Sequence, residues 1–318
     1  VLGVLLFKEV SLFLPDQTMQ IYSNDLKVIQ SGSIFLRISA ISYLMMSVSM
    51  SYSTVLKSTG IVKAQMVISF FALGLKTFLN YLLIFGNWGA PQMGTNGAAL
   101  ATVISRLVEM LAMVYVVYRY HPMVAVYPRY FKGISTGLLK LYFKTAVPVM
   151  FNELLWALGI SAYNIIYAHI SVEAIAAYNI IASVESMSFV IFVGISDACG
   201  VLVGHKIGAG REDEAFLYAR WLLGVIVLFA IAIGGIIFLS RDLIVSWYKV
   251  EAVTRSYVEG FLIILSCMLW MRSTLMTLVV GIMRSGGDVR FSLVVDSGSI
   301  WLMGVPLAAL GAFVLHVP

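Results

Sequence analysis

The sequence predicts an all-α polytopic membrane protein built from two pseudo-symmetric helix bundles, and three observations predict it. Of 318 residues, 60% are hydrophobic and 12% charged, with a mean hydropathy of +0.94, whereas soluble domains carry roughly 25% charged residues. The apolar residues gather into runs long enough to cross a bilayer, which takes about 20 residues. One stretch also recurs: LKSTGIVKAQMVIS at 56–69 aligns without gaps to MRSGGDVRFSLVVD at 283–296, an offset of 227 residues.

Residues 1–14 read as the end of a span, closed by Pro15 and the polar PDQTMQIYSND. Spans are then expected over 34–56, 66–86, 96–118, 145–168, 173–204, 217–240, 256–283 and 290–313, so eight spans and one fragment make about nine membrane helices. GAG at 208–210 and SGG at 285–287 are expected as reversing turns. Pro148 and Pro306 lie inside spans and are expected to bend them. The connections are short except for Tyr120–Lys144, which holds Arg129, Lys132, Lys140 and Lys144. Lys57, Lys63, Lys206, Arg211, Arg220, Arg284 and Arg290 share its side, against Lys27, Arg241, Lys249 and Arg255 on the other. The positive-inside rule therefore places 120–144 in the cytoplasm and the chain in the cell membrane.

The repeat organises the domains. YSND from Tyr22 and YKVE from Tyr248 each open an outer loop at nearly the same offset, so order and orientation both match, as in a parallel repeat. Residues 1–119 read as the remainder of an N-terminal six-helix lobe, 120–144 as a cytoplasmic linker and 145–318 as the C-terminal lobe. The chain opens without Met inside an apolar segment. Carried through, the repeat implies two helices before the first residue and one past the last, hence twelve in all and a chain cut at both ends.

Charges inside apolar spans mark the candidate site, because a carboxylate near mid-membrane costs roughly 2.5 to 3.5 kcal/mol even on gentle scales. At 100° per residue, Glu153, Trp156, Ile160, Asn164 and Tyr167 share one face, flanked by Asn152 and Tyr163. That stripe is expected to line a pathway with Glu153 as its ionisable group; the alternative is a structural carboxylate bonded to a neighbouring helix. Glu185 and Asp197 lie roughly 18 Å apart along one helix and cannot meet one small ligand. Glu185, beside Asn179, Ser183 and Ser186, is a candidate cavity acid, and Asp197 reads more readily as structural. Asp296 is either a cavity acid or the partner of Arg272. Lys76, with Asn80 one turn on, is a basic group in the first lobe, and Arg106 and Glu109 read as a local ion pair. Trp156, Tyr163, Trp270 and Trp301 offer aromatic faces to a flat cation or simply pack. Cys199 and Cys267 have no partner at ligand spacing, and the glycine turns are not nucleotide loops. HExxH does not occur and no paired His stands at helical spacing, so the sequence points away from an enzyme, a metal, a cofactor or a nucleic-acid partner.

LKSTG, FLNYLLIFGNWGAPQMGTNGAALATVISRLVE, FKTAVPVMFNELLW, VGHKIGAGREDEA and GIMRSGGDVRFSLVVDSGSIWLMGVPLAAL together resemble the multidrug and toxic compound extrusion (MATE) family, in order and over essentially the whole chain. The resemblance implies a twelve-helix exporter, two lobes around a central cavity, and alternating access driven by inward H+ or Na+, with organic cations as the commonest substrates. It further implies a carboxylate in the seventh helix, where Glu153 lies; the first-helix acid of the family has no counterpart here, and in the tenth helix Arg272 stands where some members carry an acid. Glu153 is expected to exchange a proton for an organic cation, in a protein expected to be a monomer. A lipid-linked oligosaccharide flippase of the same superfamily is the alternative, favoured by Lys76 and Arg272.

Overall fold

In bilayer surroundings an apolar run must satisfy its own backbone groups, and the eight long apolar runs do so as helices. The computed structural model describes residues 2–20, 26–127, 135–248 and 250–314, whose regular structure is entirely helical. The start of the expected outer loop at Tyr22–Asp25 lies outside the described residues, as do Arg129, Lys132 and Lys249. Among the described residues, eight helices are long and apolar enough to cross a membrane, matching the spans expected. Large side chains on their outer faces stay open, Leu239 at 84% and Leu302 at 80%, as suits lipid contact.

The chain divides into two units, Val1–Gly133 and Ile134–Pro318, with the division inside the expected linker. In the first, α1 (Leu2–Phe13) and α2 (Pro15–Gln20) pack on α3 (Leu26–Ser58), which packs with α4 (Val62–Phe85) and α5 (Thr95–Tyr120). Leu56, Ile68, Met113 and Val117 form the buried seam. Several hydroxyls of α3 are absorbed locally, since Ser49, Ser51 and Thr54 each donate to the carbonyl four residues back, whereas those of Ser33 and Ser39 are buried without a partner.

The second unit contains α6 (Thr136–Ile170), α7 (Val172–Gly208), α8 (Glu212–Ser246), α9 (Ala252–Met276), α10 (Val289–Gly298) and α11 (Val305–Phe313). Helices α7, α8 and α9 share one core, in which Phe192, Ile226, Leu262 and Leu269 are fully buried. Helix α6 packs on α7 along one side and on α10 and α11 along the other. It begins nine residues before the expected start because the Ser135 hydroxyl accepts from Leu138 N–H and caps it. Residues 136–144, with Lys140 and Lys144, are therefore its first turns rather than linker, and the helix continues through Pro148.

The repeat is visible in the turns. Gly60 and Gly287, 227 residues apart, have φ of +80° and +87°. Ile61 N–H reaches back to Leu56 O, and Asp288 N–H to Met283 O, at 2.9 and 3.1 Å. These are Schellman closures, which need a residue that tolerates positive φ, and glycine does so without strain. Helix α4 starts at Val62 and α10 at Val289, again 227 apart.

The units differ inside their spans. In the second, Thr277–Met283 and Ser299–Gly304 are π-helical continuations of α9 and α10. Their counterparts at the same offset lie within continuous α-helix in α3 and α4. The sequence reading missed both, which lie outside the aligned stretch 283–296 except for Met283. The first π segment is fixed by a buried bond: Thr277 Oγ1 donates to Ser273 O at 2.9 Å, so Ser196 donates to Thr277 Oγ1 at 2.7 Å.

Candidate functional site

Nine of the predicted site residues, from Asn152 to Asp296, lie in the second unit, and the structure gives each charge among them a definite neighbour. On α6, Asn152 is buried, and its Nδ2 donates to Asp296 Oδ2 of α10 at 2.7 Å. Its Oδ1 accepts from Ser297 Oγ at 2.9 Å, which fixes which way the amide points. Asp296 is thus held by an amide, and among the described residues no basic group stands within ion-pair distance of it. The alternative that made it the partner of Arg272 is corrected: Arg272 pairs with Glu185 of α7. The reason is helix rotation. The face of α10 that carries Asp296 packs against α6, whereas Arg272, on α9, faces α7.

Glu153 points elsewhere. Its Oε1 accepts from Arg284 Nη1 at 2.8 Å, and Arg284 sits in the turn between α9 and α10. Of the two readings of Glu153, this contact matches the carboxylate bonded to a neighbouring element, here an arginine at the end of the α9 span. The carboxylate is 57% exposed and the guanidinium 18%. With one partner so open, a double-mutant cycle of Glu153→Gln and Arg284→Gln on unfolding free energy is expected to return a coupling of about 0.2–1 kcal/mol. A coupling several times larger would mean the pair is far less solvated than its exposure indicates.

The third group surrounds Arg272. Its guanidinium is 53% exposed and pairs with Glu185, which is 22% exposed. It also lies over the Phe189 ring, 5.5 Å from the centroid. Tyr167 stacks on Tyr178 at 4.8 Å and meets Phe261 edge-on at 6.2 Å. Arg272 interacts electrostatically with Tyr163, Tyr167 and Tyr178. This is an open charge pair beside aromatic rings, within segments apolar enough to span a membrane.

The remaining candidates are less engaged. Trp156 is 49% exposed, and Asn164 is half-buried. Asn179 is exposed, and its carbonyl accepts from Ser183. Tyr163 Oη packs directly on Gly304, and Trp301 Nε1 donates to Leu155 O at 3.0 Å, so both join α6 to the segment after α10. Arg106 and Glu109 form the expected ion pair at 2.6 Å. In the first unit Lys76 is half-buried, and among the described residues it makes no ion pair; Asn80 Oδ1 is buried without a hydrogen-bond partner. Surface depressions along Leu138–Met150 of α6 and along Leu217–Leu228 of α8 are mostly apolar, the second edged by Arg220, and none of the site candidates above lines them. Arg284, Ser297 and Phe189 were not singled out from the sequence. A basic residue next to a turn, a serine beside an acid and a phenylalanine in a span carry no sign of their distant partners.

A multi-pass bundle of parallel repeats, with paired charges inside its spans, defines a class: membrane transporters of repeated helical architecture. The MatE family model matches residues 2–82 and 148–310. A probable multidrug resistance protein NorM of Thermotoga maritima is 29% identical over 299 residues, covering 89% of this chain and 58% of that protein. The protein of the same name from Bacillus cereus is 25% identical over 250 residues, covering 78% and 55%. The chain thus spans a little over half the length of these relatives. Among solved structures, a MOP superfamily transporter from Pyrococcus furiosus superposes with a TM-score of 0.87 at 16% identity, covering 99% of this chain and 70% of that one. An outward-facing MATE transporter superposes at 0.85 and 17% identity, covering 97% and 68%. The chain belongs to the MatE family, a family of transporters rather than enzymes.

Proposed function

We propose that this chain forms part of a secondary-active antiporter that exports organic cations or drugs across the cytoplasmic membrane in exchange for H+ or Na+, by alternating access. The relatives named as multidrug resistance proteins support the cargo class, and the open Glu185–Arg272 pair carries the argument for the site. An arginine in the apolar part of a span is tolerated where it borders water or a partner, and half of this guanidinium is uncovered. A planar organic cation entering beside it takes Glu185 as counter-charge and Phe189 and the tyrosines as stacking faces, at a cation–π gain of about 0.5–2 kcal/mol. Arg272 is the group it displaces. Ion entry on the opposite swing resets the charge balance.

One observation favours a second reading. The Pyrococcus furiosus neighbour is described as having a binding pocket of reverse polarity that suggests a different function, and the half-exposed Arg272 offers this chain an anion-facing charge. A lipid-linked oligosaccharide flippase, which handles a phosphate-bearing cargo, would use Arg272 rather than Glu185. The test is accumulation of a fluorescent organic cation in efflux-deficient cells expressing the intact protein or its Arg272→Gln variant. Export by the wild type, retained or raised in the variant, supports the antiporter. No export by the wild type, with Arg272→Gln abolishing transfer of a lipid pyrophosphate in vesicles, supports the flippase.

A further inference from the structure

We infer that Asp296, Ser292 and Asn152 form a small-cation site in the second unit, and that its ligand is Na+. Asp296 lies in a span with no basic group within ion-pair distance among the described residues, so its charge is unmatched. One carboxylate oxygen, Oδ2, is fixed by Asn152, whose amide is itself oriented by Ser297. The other carboxylate oxygen remains to take a ligand.

Ser292 supplies an independent observation. It is 1% exposed, and its hydroxyl oxygen is buried with no hydrogen-bond partner. In native proteins such an orphaned group calls for an explanation such as an ion or a water. Ser292 stands four residues before Asp296, hence on the same face of α10 and one turn away. Asn152 Oδ1 keeps a second lone pair after accepting from Ser297. The donors are all oxygen and carry one negative charge, the set a hard monovalent cation prefers over a soft metal.

The charged and titratable groups on the elements packed against Asp296 are Lys140, Tyr142, Lys144, Glu153, Tyr163, Tyr167 and His169 on α6, Arg284 after the first π segment, and Asp288 and Arg290 at the start of α10 itself. Glu153 and Arg284 neutralise one another. At the repeat offset Asp296 corresponds to Ser69, so the site belongs to this unit and has no copy in the first. The assignment deepens the antiport reading and rests on it only for the direction in which the ion moves.

The test is thermal unfolding of the purified intact protein in detergent, titrated with NaCl against choline chloride at fixed ionic strength and pH, with binding of a fluorescent organic cation measured in parallel. A ligand that binds the folded state alone raises the melting temperature in a saturable way. The wild type is expected to be stabilised by Na+ and not by choline. Asp296→Asn, which keeps an acceptor for Asn152, is expected to lose that response. Ser292→Ala removes an oxygen that has no partner, so it is expected to melt like the wild type without Na+ while needing roughly tenfold more Na+ for half-saturation. An equal Na+ response in wild type and Asp296→Asn overturns the assignment. So does a wild type that responds to pH and not to Na+, which would make Asp296 a proton site. If the wild type binds Na+ through Asp296 but no organic cation, the Na+ site stands and the drug-export reading falls.

Discussion

Replacing Glu185 by Gln is expected to lower export of an organic cation by roughly tenfold to a hundredfold, the equivalent of losing one charge-assisted contact of about 1.5–3 kcal/mol. Glu185 is the carboxylate of the open pair and the counter-charge a cation needs beside Phe189 and the stacked tyrosines. Its loss acts twice, because Arg272 is left unmatched and repels the substrate. Adding Arg272→Gln to Glu185→Gln restores the local charge balance but not the anion. The double variant is therefore expected to fold and insert like the wild type and still fail to export. Recovery of export in the double variant would show that Glu185 serves only to neutralise Arg272. Initial rates of dye efflux, normalised to protein in the membrane, give the comparison.

Gly234→Val is expected to be strongly damaging although it lies away from the site. A Cβ on Gly234 of α8 lies 2.6 Å from the Ser266 carbonyl oxygen of α9. That oxygen belongs to a helix backbone and cannot rotate aside. Close approach of two backbones through a small residue is how membrane helices associate without a hydrophobic driving force between them. Around it Ile226, Ala230 and Ile237 face Leu262, Leu265 and Leu269, so forcing the helices apart opens the whole seam. Overpacking of this kind costs about 1–3 kcal/mol for a small intrusion, and the branched valine exceeds that range. The adjacent Gly235 is the control: a Cβ there meets nothing within 4 Å. Gly235→Ala is expected to be neutral or stabilising by up to about 1 kcal/mol, since alanine is the better helix former. Unfolding of the two variants in detergent should separate them clearly; similar stabilities would contradict the packing argument.

The parts of the fold that were legible in the sequence share a cause. Apolar runs report spans because the bilayer forces them into helices, and the glycines of LKSTG and MRSGG report turns because Schellman closure needs a residue at ease with positive φ. The register between Gly60 and Gly287 was readable for that reason. Charge partners on different helices were not, although the local pair Arg106–Glu109 was. Periodicity shows which way a side chain points about its own helix axis, but not how the neighbouring helix is rotated. Glu153 was grouped with Trp156 and Asn164 on one face, yet its partner, Arg284, is 131 residues away. Asn152, read only as a flank of the stripe, is the buried group that holds Asp296. The early start of α6 was hidden by the basic residues Lys140 and Lys144, which resembled loop, while the cap at Ser135 marked the true beginning. The π segments left no trace because they change backbone hydrogen-bond register, which the apolar patterning of a span does not report.

The most direct measurement reconstitutes the intact protein into liposomes loaded with a fluorescent organic cation and imposes an H+ or Na+ gradient across the membrane. Cation movement against its own gradient, in the direction opposite to the ion and lost in Glu185→Gln, is the predicted result. Cation movement that is indifferent to both ion gradients, or none at all in protein shown to be folded, would contradict the account.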